Sequence, residues 1–180
     1  MTSIEVVSAH HMKRTTWEWA WVAVSNGEAI GVLTVNNFPE CTADEDAPEP
    51  TDNKDVWDRH GKIAYVYAAV KGNGVGSTLL LHGKDELLQA GLELCGSGVA
   101  TPDGRRLLSR PDIDIRVSPA SEAKWKRREQ EIEYWDKYPS KRKGERPEPP
   151  QKDLDVDEAE RGGKAELTAV AALLGIEVHE

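Results

Sequence analysis

Seven residues, Lys71-Gly72-Asn73-Gly74-Val75-Gly76-Ser77, carry the most readable chemistry in this chain. They follow the apolar run Ile63 to Val70 and precede Thr78 to Ala90, where Leu80, Leu81, Leu87 and Leu88 recur with a helical period. Successive backbone N–H groups in a glycine turn that opens a helix point outward together, and the helix dipole adds partial positive charge. That arrangement is a cradle for phosphate. Glycine suits it because a Cβ would hold the ligand away from the backbone. A Walker loop needs Gly-Lys-Ser/Thr after four intervening residues, and none is present. A dinucleotide fingerprint needs glycines at its first, third and sixth positions; here Gly72 and Gly74 are followed by Ser77 at the sixth, with Gly76 at the fifth. An ordinary reversal at Asn73-Gly74 is the alternative, and the helix that follows favours the cradle.

Other residues with reactive groups are scattered. Tyr65 and Tyr67 lie on the run that enters the turn, Glu18 lies among the tryptophans, and His60 stands just before Ile63. Each is a candidate base with a structural or solvated role as its alternative. Arg105 and Arg106 are placed to touch a nucleotide phosphate or to face water. His10 and His11 are adjacent and point to opposite faces of a strand, and His82 and His179 lack ligand partners at useful spacing, so no metal site is expected. Cys41 and Cys95 are too few for a disulfide scaffold and wrongly spaced for a zinc knuckle.

The elements that must position the turn follow from periodicity. Thr15 to Val24 alternates around Trp17, Trp19 and Trp21, one apolar face of a strand, and Ala29 to Val35 is a second; Asn26-Gly27 between them signals an antiparallel hairpin. Pro39 to about His60 is acidic and proline-bearing, either a surface excursion or an acidic lip that attracts a cationic substrate. Ile63 to Val70 is apolar on both faces, as a central strand requires. On the helix after the turn, Lys84, Asp85 and Glu86 face water, and Gly91 ends it. Leu92 to Val99 is a further strand, and Thr101-Pro102 caps and opens a short basic helix.

Charge divides the chain. Residues 1–110 hold 25 charged side chains, whereas the 70 residues from 111 to 180 hold 30. The expectation is a first domain over 1–110 and a charged helical appendage over 111–180. Within the appendage, Ala120 to Tyr138 is a helix whose Trp125, Ile132 and Trp135 form a narrow stripe, suited to docking on the front portion, a second copy or a protein partner. Residues 139–151 hold four prolines and the basic Lys141, Arg142 and Lys143, and read as a solvated linker, with contact to nucleic acid or another polyanion as the alternative for the basic cluster. Ala165 to Leu174 is a last helix, with a capping start near Asp157 and an end at Gly175. A net charge of -9 argues against general nucleic-acid binding. No apolar run reaches the roughly 18 residues of a membrane span and no signal-peptide pattern is present, so a soluble cytoplasmic protein is expected.

The segment from Val66 to Leu80 resembles the acetyl-CoA-binding segment of the GNAT N-acetyltransferase family, whose motif is Arg/Gln-x-x-Gly-x-Gly/Ala. Lys71, Gly74 and Gly76 occupy its fixed positions, with Lys in place of Arg or Gln. The order of hairpin, long loop, strand, turn, helix, strand and short helix is also similar, over residues 15–110. The resemblance implies an α/β (α+β) fold of the acyl-CoA N-acyltransferase type, a mixed and mostly antiparallel sheet flanked by helices. It implies an enzyme that moves an acetyl group from acetyl-CoA, as co-substrate and with no metal, to an amine on a small molecule, a protein lysine or an N-terminus. The backbone of Lys71, Gly72, Asn73, Gly74, Val75 and Gly76 would then hold the pyrophosphate, with a hydroxyl contact from Ser77, and the strand at Val66 and Ala68 would meet the pantetheine arm. Two departures stand out. Many members donate a proton from a tyrosine on the helix after the fifth strand, but Pro102 to Arg110 offers only Ser109. Two acceptor-wall helices normally separate the first two strands, whereas Ser8 and Thr15 are seven positions apart. The loop at 39–60 or the charged C-terminal portion is left to supply that wall. The rival readings are a catalytically weak or inactive binding protein of the same fold, which engages a partner through residues 120–138, and an acidic structural protein without a ligand.

Overall fold

A computed structural model describes residues 3–13, 16–37, 60–138 and 144–179. The acidic stretch after Pro39, Cys41, and the cluster Lys141, Arg142 and Lys143 lie outside the described residues. Among the described residues the fold is α+β, a mixed and mostly antiparallel sheet with four helices.

Asn26 and Gly27 both adopt positive φ, 54° and 84°. This is the turn geometry whose twist matches that of a hairpin, and it joins β3 (Thr16–Ser25) to β4 (Glu28–Asn37) in antiparallel register. β1 (Glu5–Ser8) and β2 (His11–Lys13) both pair with β3, as one edge strand interrupted at Ala9-His10. β5 (His60–Ala68) lies antiparallel on the other side of β4. It meets β6 (Glu93–Cys95) in parallel only over His60 to Lys62. The expected strand Leu92 to Val99 therefore shrinks to three residues. The chain turns away at Gly96, whose N–H donates to the Arg116 carbonyl at 2.8 Å and whose carbonyl accepts from Ser118 at 2.9 Å. β5 is thus a central strand at its start and a sheet edge from Ile63 onward, among the described residues.

Helix α1 (Val75–Gln89) lies on one face of the sheet. Val75, Leu79, Leu80, Gly83 and Leu87 are its buried residues. They pack with Trp21, Leu33, Val35, Ile63 and Leu94. Leu81 and Leu88 were expected on this inner face, but they are 39% and 70% exposed. α2 (Pro102–Leu108) starts as predicted: Thr101 Oγ1 accepts the Gly104 N–H at 3.1 Å and Pro102 occupies the first turn. α3 (Pro119–Lys137) is capped by Ser118 and tied near its start by Ser121 Oγ donating to the Ser97 carbonyl at 2.8 Å.

α4 (Val156–Leu174) is twice the length expected and begins at Asp155, whose side chain accepts the Glu158 N–H at 2.9 Å. It ends at Gly175 in the left-handed conformation, as predicted. Leu167, Val170 and Ala171 are buried against Ala20, Val22, Ala29 and Val32 on the second face of the sheet. Ile113 and Ile115 also belong to the first core. The rise in charge after residue 110 therefore does not mark an end of packing. Few apolar side chains are needed when each is fully covered. β7 (Glu177–Val178) runs parallel to Glu28 and Ala29. It fills the place beside β4 that β5 leaves after Ala69.

Candidate ligand-binding groove

The open edge of β5 leads directly into the glycine turn. Gly72 and Gly74 adopt φ of 83° and 75°, a region that strains any residue with a Cβ, and a Cβ at either would meet nothing within 4 Å. Their role is conformational, and their faces are open. Gly76 differs: its φ is ordinary, and a Cβ there would stand 3.0 Å from Leu107 Cδ2. It lets α2 pack close to the start of α1.

Gly74 is the N-cap of α1, with no side-chain cap and no acidic residue in the first turn. The other three described helices are each capped by a side chain, Thr101, Ser118 or Asp155, and each carries an acid in its first turn. The Thr78 N–H is bonded to Gly74 within the helix, at 2.9 Å. The preceding amides of the first turn have no partner of this helical kind. They open on a groove of about 710 Å³. Its walls are the end of β5 (Val66, Tyr67 and Ala68), the turn (Lys71, Gly72 and Gly74), the first turn of α1 (Val75, Gly76 and Ser77), α2 with Arg110, and the beginning of α4.

Of the residues singled out in the sequence, the groove thus gathers Val66, Tyr67, Ala68, Lys71, Gly72, Gly74, Val75, Gly76 and Ser77. Asn73 belongs to the same turn and is exposed. Tyr65 stands elsewhere: it faces α4, where a Cβ on Gly162 would be 2.9 Å from its ring. Ser109 ends α2 with its hydroxyl donated to the Arg105 carbonyl at 2.9 Å. Glu18 is paired with Asn36 and His11 in the sheet, and its side chain is outside the described residues. His60 sits at the far end of β5, 3.5 Å from Glu93. Arg105 is turned to Asp153 at 2.6 Å and the Lys152 carbonyl at 2.5 Å, and Arg106 pairs with Asp103.

Arg110, not singled out in the sequence, lies closer to the turn than either. Its guanidinium donates to Ser77 Oγ at 3.1 Å and forks onto Asp112 at 3.0 and 2.7 Å. The hydrogen bond from Arg110 holds the Asp112 carboxyl below its ordinary value. Lys71 forms an ion pair with Glu160 of α4, and that hydrogen bond raises the ammonium above its ordinary pKa. No sequence spacing signals such a contact across 89 residues. It also shows that the C-terminal portion reaches the turn.

A second polar cluster lies at the other end of α1. Glu86, expected to face water, accepts from Trp21 Nε1 at 2.8 Å and Ser8 Oγ at 2.9 Å, and meets His82 at 3.1 Å and His10 at 3.2 Å. The Ala20 N–H donates to His10 Nδ1 at 3.4 Å, which leaves the Nε2 proton for Glu86. Burial pushes the Glu86 carboxyl up, but the bonds from Trp21, Ser8, His10 and His82 outweigh it, and the net shift is downward. Among the described residues no group of histidines, cysteines and acids is arranged to hold a metal, and no helix is long and apolar enough to cross a membrane.

No protein-family model, curated protein or solved structure matches the chain.

Proposed function

We propose that the chain has the acyl-CoA N-acyltransferase type of fold, binds acetyl-CoA in this groove, and transfers the acetyl group to an amine. The observation that carries the reading is the edge of β5, unpaired among the described residues, running straight into an uncapped, glycine-formed helix start, with both lining one groove. The uncapped amides of α1 and the Ser77 hydroxyl suit a pyrophosphate, with Arg110 and Lys71 beside them. The edge from Ile63 to Ala68 offers backbone groups to an amide-bearing arm in the manner of an added strand. A thioester supplies the activated acyl group. The incoming amine loses a proton as it attacks, and the departing thiolate gains one. Tyr67 is the one titratable candidate of the β5 run on the groove wall. α4 stands against the second face of the sheet and serves as the acceptor wall that residues 9–14 are too few to build. Holding both reactants in line supplies much of the acceleration in such a site.

Thermal unfolding with and without acetyl-CoA tests the binding half. A clear upward shift is expected, and its absence overturns the reading. Thiol release with a panel of polyamines and lysine peptides then tests the transfer. Binding without thiol release favours the second reading, a non-catalytic binder of the same fold. Its support is that Ser109 spends its hydroxyl on the backbone, away from the groove. For a partner, this second reading uses the outer face of α3, where Tyr134 is 54% exposed. Trp125 is already engaged, packed near Gly98 with Lys152 4.6 Å above its ring.

A further inference from the structure

Among the described residues the basic side chains of the groove wall are Lys71 and Arg110, matched within the chain by Glu160 and Asp112; outside the lining, Arg106 is matched by Asp103 and Arg105 by Asp153. The first of these pairs is unlike the rest. Asp103 and Asp112 lie within three residues of their arginines, and Asp153 lies on the segment that an isolated bridge ties to Ala100. Glu160 comes from α4 on the opposite wall, and both it and Lys71 line the groove.

We propose that Glu160 is an internal competitor for Lys71: its carboxylate holds the lysine that the phosphate of the ligand must recruit, so that binding exchanges one oxyanion for another. The inference rests on the groove being a phosphate site. The geometry suits an exchange. Lys71 and Glu160 are 71% and 47% exposed, so the pair is water-accessible and weakly held. A phosphate on the amides of Gly74 to Ser77 would stand beside Lys71 and compete with the Glu160 carboxylate for the same ammonium. Release needs only a side-chain rotation. The backbone of α4 is anchored on either side of Glu160, by Leu154 bonded to Ala100 at 3.2 Å and by Leu167, Val170 and Ala171 in the core. The contact thus lowers affinity for the anion in a way that one substitution relieves, and it favours ligands whose phosphates are held first by the backbone.

The test is calorimetric titration with coenzyme A of the intact chain and of Glu160→Gln, Lys71→Met, the double variant, and Asp157→Asn. Asp157→Asn removes one negative charge from the same helix outside the groove. Glu160→Gln is expected to bind several-fold more tightly than wild type and Lys71→Met several-fold more weakly. In the Lys71→Met background Glu160→Gln is expected to add little, because there is no lysine left to release. Asp157→Asn is expected to change affinity less than twofold. Wild-type binding with no gain in Glu160→Gln overturns the competition and leaves the groove reading intact. An equal gain in Asp157→Asn, or a full gain in the double variant, also overturns it, by assigning the effect to overall charge. Failure of both wild type and Glu160→Gln to bind coenzyme A overturns the groove reading and the competition together.

Discussion

Replacing Gly74 by leucine separates the ligand from the fold. The φ of 75° at this position costs a residue with a Cβ about 1–2 kcal/mol. No steric cost adds to it, because a Cβ at Gly74 would meet nothing within 4 Å. For a chain of 180 residues, that loss lowers the melting temperature by about 2–8 °C. The ligand effect is of similar size and opposite sign. Acetyl-CoA at about 100 times its Kd stabilises wild type by about 2.7 kcal/mol, or roughly 5–11 °C. In Gly74→Leu the side chain projects over the open face of the turn, and the ligand-induced shift should vanish while the unliganded protein still unfolds in one cooperative transition. Scanning fluorimetry with and without acetyl-CoA measures both quantities in one experiment. A Gly74→Leu protein that keeps the full shift refutes the placement of the phosphate on this turn. Loss of cooperative unfolding without ligand refutes the claim that Gly74 is conformational only.

Three further outcomes are expected. Gly163→Ala should destabilise by about 1–3 kcal/mol in urea, because its Cβ would fall 2.7 Å from the Tyr67 side chain; a neutral result would mean that α4 does not lie this close to β5. Glu86 has a lowered folded-state pKa, so its contribution to stability is present above its unfolded value near 4.5 and is lost as pH falls through the folded value. Glu86→Gln should therefore be less stable than wild type at pH 7 and lose less between pH 5 and 3, as read from urea midpoints. Cys95 is 2% exposed, with burial pushing its thiol up to about 12, so aromatic disulfide reagents should label it at pH 8 only at the rate of unfolding. Rapid labelling of the native protein at this residue would contradict that burial, with Cys41→Ser used to isolate the signal.

Where the signal in the sequence was local, the structure bears it out. Asn26-Gly27, Thr101-Pro102 and Gly175 each fix a backbone conformation within a few residues, and each is where it was placed. The turn from Lys71 to Ser77 was legible for the same reason, although Gly76 turned out to accommodate Leu107. Features that depend on distant segments were not legible. The first half of α4 reads as a polar stretch with two consecutive glycines, a poor helix by propensity. Those glycines allow the helix to approach Tyr65 and Tyr67, which only the folded pairing makes visible. Glu86 sits among charged neighbours on its helix, and its partners Ser8, His10 and Trp21 lie more than 60 residues away. Arg110 lies 33 positions from Ser77, and nothing near it in sequence signals that its guanidinium stands beside that hydroxyl. The parting of β5 from β6 has no pattern of its own, since Ile63 to Ala68 is apolar enough for a central strand.

The second face of the hairpin has a consequence for the life history of the chain. Ala20, Val22, Ala29 and Val32 are covered by Leu167, Val170 and Ala171, roughly 140 positions later. Glu28 and Ala29 likewise wait for Glu177 and Val178. During synthesis the hairpin and its partner β5 emerge long before that cover exists, as a sheet with one greasy side open to the ribosome's surroundings. Contacts at such separations form late and slowly. Each nascent molecule therefore passes through a stage in which sticking to its neighbours competes with folding, and a chain shortened to the first 110 residues would stay in that stage permanently.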